Sequence, residues 1–206
     1  MLPRLFLFFF LAFFPLQASF GQVLVGPTFG GNLIGETPDV RLGIPIIVPL
    51  MDFLEVQAEV AWTNRYNASF VRRLDIEPEG YSSSVSYAEF GAMIRPRLRT
   101  EQITVYALAG PSISYGQEIH LRYLEKSMFM YQEIPLKELD LQEWDIGLQV
   151  GMGISKTLLN EVRLQVEYRL YYGVTDLDRQ ESQSVYNQSQ YLTMGFLFPL
   201  GGVVGY

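Results

Sequence analysis

The chain has 206 residues, 49% of them hydrophobic and 14% aromatic, with a formal net charge of -7 and a single histidine. So apolar a chain is no disordered polar tail, and an acidic chain without a basic run offers nucleic acid no electrostatic footprint. The absence of cysteine excludes a disulfide scaffold, a thiolate zinc site, a cysteine nucleophile and a lipid-bearing cysteine.

Met1–Arg4 makes a short basic start, followed by LFLFFFLAFF (Leu5–Phe14) and Pro15. That run is too short for a membrane-spanning helix and suits the core of a signal peptide. Ser19 and Gly21 put small residues where a signal peptidase reads, so residues 1–21 are expected to be a signal peptide. Residues 22–206 then form one domain, in which no stretch is long and apolar enough for a membrane helix.

From there the chain alternates. Val23–Gly31 is the first expected strand. Val40–Val48 follows, with Arg41 opposite its apolar set; Pro45 has no N–H to give, so this strand is expected to bulge or lose pairing locally. LEVQAEVAW puts Leu54, Val56, Ala58, Val60 and Trp62 on one face and Glu55, Gln57 and Glu59 on the other. AEFGAMIRPRL sets Phe90, Ile94 and Leu98 against Glu89, Arg95 and Arg97. Thr104–Tyr115 comes next. WDIGLQVGMGIS then opposes Trp144, Ile146, Leu148, Val150, Met152 and Ile154 to Asp145, Gln149 and glycines. VRLQVEYRLYY separates Val162, Leu164, Val166, Tyr168, Leu170 and Tyr172 from Arg163, Glu167 and Arg169, and Gln190–Phe198 closes the series. Period two assigns such sets to opposite faces of a strand.

Short links (around Met51, at 99–102 and at 158–161) alternate with longer ones (32–39, 67–84, 117–143 and 174–189). Alternate links of an up-and-down barrel lie at opposite ends. The expected fold is therefore all-β: an eight-stranded antiparallel up-and-down transmembrane β-barrel with short periplasmic turns and long extracellular loops.

Alternation alone fits a soluble barrel equally well, with the apolar set inside around an apolar ligand. Three features favour the opposite facing. The acids of the polar faces (Glu55, Glu59, Glu89, Asp145 and Glu167) match the bases (Arg41, Arg95, Arg97, Arg163 and Arg169), as a closed lumen requires. Every base is arginine, whose fork suits dry ion pairs. Trp62, Tyr115, Trp144 and Tyr172 lie at the long-loop ends of their strands on the apolar face, as half of an aromatic girdle. Glycines on the polar face, such as Gly91, Gly147, Gly151 and Gly153, leave room for large neighbours in a lumen that side chains must fill.

The chain resembles the small PorT-like outer-membrane β-barrels common in the Bacteroidetes. The resemblance rests on VGPTFGGN, SYAEFGAMIRPRL, VYALAGPSISYG, WDIGLQVGMGIS, VRLQVEYRLYYGVTDL and YLTMGFLF, which together cover most of residues 22–206. It implies an outer-membrane barrel with both termini in the periplasm, and one member type takes part in type IX secretion. The chain departs from the pattern at its end, where PLGGVVGY follows Phe198: such barrels often close their last strand on an aromatic residue, a part that falls either to Tyr206 or to GFLF.

The chemistry-bearing residues are few. A triad needs His beside Ser and a carboxylate. His120 falls in the expected 117–143 loop, where no serine has an obvious partner, so it reads as a solvated histidine. No cofactor or metal site is expected, since one histidine without cysteine makes a poor ligand set. Asp75, Glu77 and Glu79 lack calcium-loop spacing. Met128, Phe129, Met130 and Tyr131 are apolar for a surface loop and are the candidate contact with a protein partner. The expected function is non-enzymatic: a narrow barrel with a charge-filled lumen, in contact with outer-membrane lipid. It would act as an anchor, a secretion accessory or a surface-interaction protein, and not as an open porin. An outer-membrane enzyme acting on lipid or peptide would instead need Ser, His and acid side chains converging near the outer rim.

Overall fold

The computed structural model describes residues 22–33, 40–66, 81–100, 102–125, 128–136, 141–158, 161–177 and 185–200; the expected signal peptide, residues 1–21, and the acids Asp75, Glu77 and Glu79 lie outside them. The strands are β1 (Val23–Val25), β2 (Thr28–Asn32), β3 (Val40–Met51), β4 (Leu54–Tyr66), β5 (Tyr81–Arg99), β6 (Thr104–Glu125), β7 (Met128–Pro135), β8 (Trp144–Thr157), β9 (Arg163–Gly173) and β10 (Gln188–Leu200). All pair antiparallel in one 10-stranded sheet. β1 and β2 share one place, since each pairs with both β10 and β3. β7 pairs β6 alone, off the ring, and β9 pairs β10. Eight positions remain, and the sheet closes into an up-and-down barrel that leaves its ring without edges.

The break between β1 and β2 answers the question of Pro45. Its register with β4 runs unbroken through Ile44↔Val60, Pro45↔Glu59 and Ile46↔Ala58, and the irregularity lies at Pro49/Met51 instead. On its other side β3 pairs Gly43 with Thr28 and Ile46 with Val25, so Gly26 and Pro27 stand opposite Ile44 and Pro45. The missing N–H thus falls where the neighbouring strand has itself lapsed. Gly26 is required there, because a Cβ would run into the Phe196 backbone carbonyl.

The long-link end differs most from expectation. β5 starts at Tyr81 and β6 runs on to Glu125, so parts of two expected loops are strand. The Met128–Tyr131 segment lies on β7, where Tyr123↔Met130 and Leu124↔Phe129 are paired, and not in a loop; a contact role for those side chains falls outside the described residues. Above the polar lumen Val85, Tyr87, Ile119, Leu136, Leu141, Leu177 and Val185 form a buried apolar cluster. Leu136, Leu141, Leu177 and Val185 come from links that read as polar, and they pack inward because the mouth of a narrow barrel must be filled.

Candidate functional site

Alternation sends one set of each strand to the lumen. Glu55, Glu59, Glu89, Arg95, Asp145, Glu167 and Arg169 are all buried there. Val60, Ile94, Met152 and Ile154, from the opposite sets, are each more than half exposed. Apolar side chains face out and ionic ones in.

The lumen residues form one chain of contacts. Near the long-link end Arg65 donates to Asp145 at 2.9 Å, to Ser114 at 2.8 Å and to Glu89. Glu89 accepts from Arg41 at 2.7 Å and from Gln149 at 2.9 Å. Arg41 also reaches Glu59 at 3.3 Å, and Arg169 pairs with both Glu59 and Glu167. Lower down, Gln57 and Gln165 hold Arg95 at 3.0 and 3.1 Å. At the short-turn mouth Glu55 accepts from Arg163 at 2.9 Å and from Arg97; these two arginines are part-buried. They line a recess of about 470 Å³ together with Gln22, Met51, Asp52 and Arg99.

Sequence reasoning missed Arg65, although Glu59, Ala61, Thr63, Arg65 simply continues the β4 alternation past Trp62. It is fully buried and is the lumen cation nearest the plug. Tyr171 falls with the charged set of residues 160–173, as the alternation there predicts, and is buried, whereas Tyr87 and Tyr106 were missed. The guanidinium carbon of Arg65 stands 3.6 Å from the Tyr171 ring centre and 4.6 Å from that of Tyr87, and that of Arg95 stands 3.5 Å from that of Tyr106. Rings satisfy the faces of guanidiniums whose edges are taken by carboxylates.

On the outside, Trp62, Ala88, Tyr115 and Trp144 are cross-strand partners in one continuous row over β4, β5, β6 and β8. The Tyr115 and Trp144 rings lie 5.0 Å apart. Trp62, Trp144 and Tyr172 are exposed and Tyr115 is half-buried.

His120 departs from the sequence expectation. It lies on β6, buried, and not in a solvated loop. A bulge explains the error: Tyr87 pairs Gly116 but Ser86 pairs Glu118, leaving Gln117 as the extra residue. An extra residue swaps the faces of everything beyond it. Below the bulge Tyr115 faces out; above it Ile119 joins the inner plug, and Glu118 and His120 share the outer face with Ser86. There Nε2 of His120 meets the Ser86 Oγ at 2.6 Å, and the Ser86 hydroxyl bonds Asn64 Oδ1 at 2.8 Å. Glu133, the direct cross-strand partner of His120, has a carboxylate oxygen 3.8 Å from Nδ1, and Glu118 has one 3.7 Å from Nε2. One ligand atom each from Glu118, His120 and Glu133 lie within 4.8 Å of one another, so these three are the described residues best placed to hold a cation.

No protein-family model matches the chain, and no curated protein matches it. Solved structures do. A major outer membrane protein from Thermus thermophilus is 10% identical with a TM-score of 0.52, over 86% of this chain and 100% of that one. Neisserial surface protein A is 15% identical over 87% and 95% of the two chains, with a TM-score of 0.49. The N-terminal β-barrel domain of Pseudomonas aeruginosa OprF is 11% identical over 87% and 100%, with a TM-score of 0.46. At such identities the likeness is one of fold, and of these three the Thermus barrel carries it.

Proposed function

We propose that the protein is an integral outer-membrane β-barrel of the PorT-like type, exported with residues 1–21 as its signal peptide, whose body is a sealed anchor and not a channel. The observation that carries this reading is the inverted polarity of the wall. Arg41, Arg65, Arg95 and Arg169 are among the largest fully buried side chains, while Ile44, Val60, Ile94, Met152 and Ile154 are more than half exposed. A water-soluble monomer rarely presents contiguous apolar surface beyond a few hundred Å², whereas a bilayer requires an apolar band flanked by aromatic rings. The likeness to outer-membrane barrels supports the same location. The ion-paired lumen and the apolar plug at one mouth support a closed interior. With no channel to gate, the extended β5–β6–β7 region supports a role at the cell surface, in anchoring or in contact with a partner.

The test is fractionation together with gel migration. The mature protein is expected in the outer-membrane fraction, to migrate differently when left unboiled, and to give no steady conductance in a planar bilayer. A soluble periplasmic or secreted protein without a boiling-dependent shift refutes the reading.

A further inference from the structure

We propose that Ser86, His120 and Glu133 form a serine-hydrolase triad on the outer wall of the barrel, just above the aromatic row, that cleaves O-acyl esters of membrane lipids. The substrate class rests on the membrane reading above; the triad itself does not.

A hydroxyl becomes a nucleophile when a base takes its proton, and the base works when a third group orients it. Ser86 Oγ and His120 Nε2 are at 2.6 Å, within the reach such a pair needs. Nδ1, on the far side of the ring, faces Glu133 Oε1 at 3.8 Å, a looseness common before substrate binds. Glu118 lies on the Nε2 side at 3.7 Å, so it adds negative charge beside the imidazolium that forms but does not orient Nδ1. The three residues come from β5, β6 and β7, and the bulge at Gln117 is what turns His120 to the face of Ser86. Bulges recur beside active sites for this reason.

Asn64 completes the set. In one orientation of its amide, Oδ1 accepts from the Ser86 hydroxyl; the two ends of an amide are nearly the same shape, and the hydrogen-bond network decides between them. Turned over, Nδ2 donates to Oγ, and the hydroxyl is left to donate to Nε2. The same Nδ2 is then a donor within reach of the oxyanion that develops beside Oγ.

Position selects the substrate. Asn64, Ser86 and Glu118 are paired across the strands one outward-facing step above Trp62, Ala88 and Tyr115. Two residues along a tilted strand rise roughly 5 Å. Aromatic rings of such a row sit at the headgroup level, which places Oγ on the outer side of that level, where it meets an ester carried on a headgroup sugar or one drawn up from the acyl region. Ser86 is 1% exposed, so a carbonyl reaches Oγ by displacing neighbouring side chains.

The chemistry balances without a co-reactant other than water. Oγ attacks the ester carbonyl carbon as its proton passes to Nε2. The bond from that carbon to the lipid alcohol oxygen breaks, and the alcohol leaves with the proton. Water, deprotonated by Nε2, cleaves the acyl–Oγ ester, returns a proton to Oγ and releases the fatty acid.

The experiment uses the full mature protein in detergent and then in vesicles, with folding of every variant checked by its boiling-dependent gel shift. A fluorophosphonate probe should label the wild type. It should fail on Ser86→Ala and slow about a hundredfold or more on His120→Ala. Glu133→Gln should slow labelling, and Glu133→Asp should restore part of it, which a merely structural role would not produce. Fatty acid should then be released from phospholipid vesicles or from an acylated saccharide lipid, and the two arms identify which source is used. Folded protein that takes no probe at Ser86 overturns the triad while leaving the barrel reading intact. Labelling at Ser86 in a protein without a gel shift supports the triad and overturns the membrane reading. Labelling without fatty acid release from either lipid overturns the substrate class. Labelling that EDTA abolishes replaces the triad with a cation site on Glu118, His120 and Glu133.

Discussion

Glu89→Gln is the sharpest probe of the lumen. Glu89 is buried and accepts from Arg41 at 2.7 Å, from Gln149 at 2.9 Å and from Arg65. Glutamine keeps its shape but turns an acceptor into a donor facing a guanidinium. Arg65 retains Asp145 and Arg41 retains Glu59, yet each loses its share of a buried negative charge. Removing one partner from a buried ion pair costs about 3–5 kcal/mol, out of a total stability on the order of 5–15 kcal/mol. With a urea slope of about 3 kcal/mol/M, the unfolding midpoint should fall by roughly 1–2 M. Arg41→Met should cost less, because it sets no donor against a donor and leaves Glu89 paired with Arg65 and Glu59 with Arg169. The double variant removes one charge of each sign and should fall short of the summed single costs by about 0.5–3 kcal/mol. The assay is reversible urea unfolding from micelles, followed by tryptophan fluorescence. Single costs under about 1 kcal/mol, and additive, are what exposed ion pairs give; that result would mean a wet lumen and refute the network.

Other outcomes follow from the same geometry. Ile94, 58% exposed, stands six residues below the aromatic row along β5, roughly 15 Å in depth on a tilted strand. That is near the middle of an apolar band about 25 Å tall, so Ile94→Arg should cost about 2–4 kcal/mol of stability in vesicles; a neutral effect would mean that this face meets water. The chain's 2 tryptophans, Trp62 and Trp144, both lie in the aromatic row. Spin labels near the headgroup should therefore quench their fluorescence more than labels at the chain ends, and the reverse order would misplace the girdle. Gly147→Ala should destabilise by about 1–3 kcal/mol by overpacking. A Cβ there comes within 2.5 Å of the Tyr171 ring, which cannot retreat because Arg65 stacks on it at 3.6 Å. Unchanged urea unfolding would show that Tyr171 has room to move.

Where the strands alternate, fold and lumen are legible in the sequence. Residues 54–62, 88–98, 144–155 and 163–172 each separate ionic from apolar side chains, and charge balance with arginine-only bases tells which set is enclosed. Legibility fails where both faces are covered. Ser83, Ser84, Val85 and Ser86 are all buried in succession, so no period two marks that stretch of β5 as strand. The bulge at Gln117 erases the period on β6 at the same level. Tyrosine misleads because it serves either side: Tyr172 is exposed while Tyr106, Tyr171 and Tyr191 are buried against arginines. Ser86 and His120 are 34 residues apart, and only strand register brings them together.

That register ties the outer site to the lumen behind it. Tyr87, the chain neighbour of Ser86, points inward; its hydroxyl accepts from Asn187 at 2.7 Å, and Arg65 lies over its ring at 4.6 Å. Asn187 also holds Asp145 at 2.7 Å, the carboxylate that anchors Arg65. The backbone that carries Ser86 is thus fixed from inside by packing and hydrogen bonds, the support a reactive geometry needs. Asn187→Ala removes one donor from Tyr87 and from Asp145 without touching the outer face. It should slow fluorophosphonate labelling of Ser86 severalfold in protein that still shows the gel shift. Gln57→Ala, a comparable loss near the short-turn mouth where Gln57 bonds Arg95 at 3.0 Å, should leave labelling unchanged. Equal slowing by both variants would trace the effect to general loosening of the barrel, and no slowing by either would mean that β5 holds Ser86 without help from the lumen.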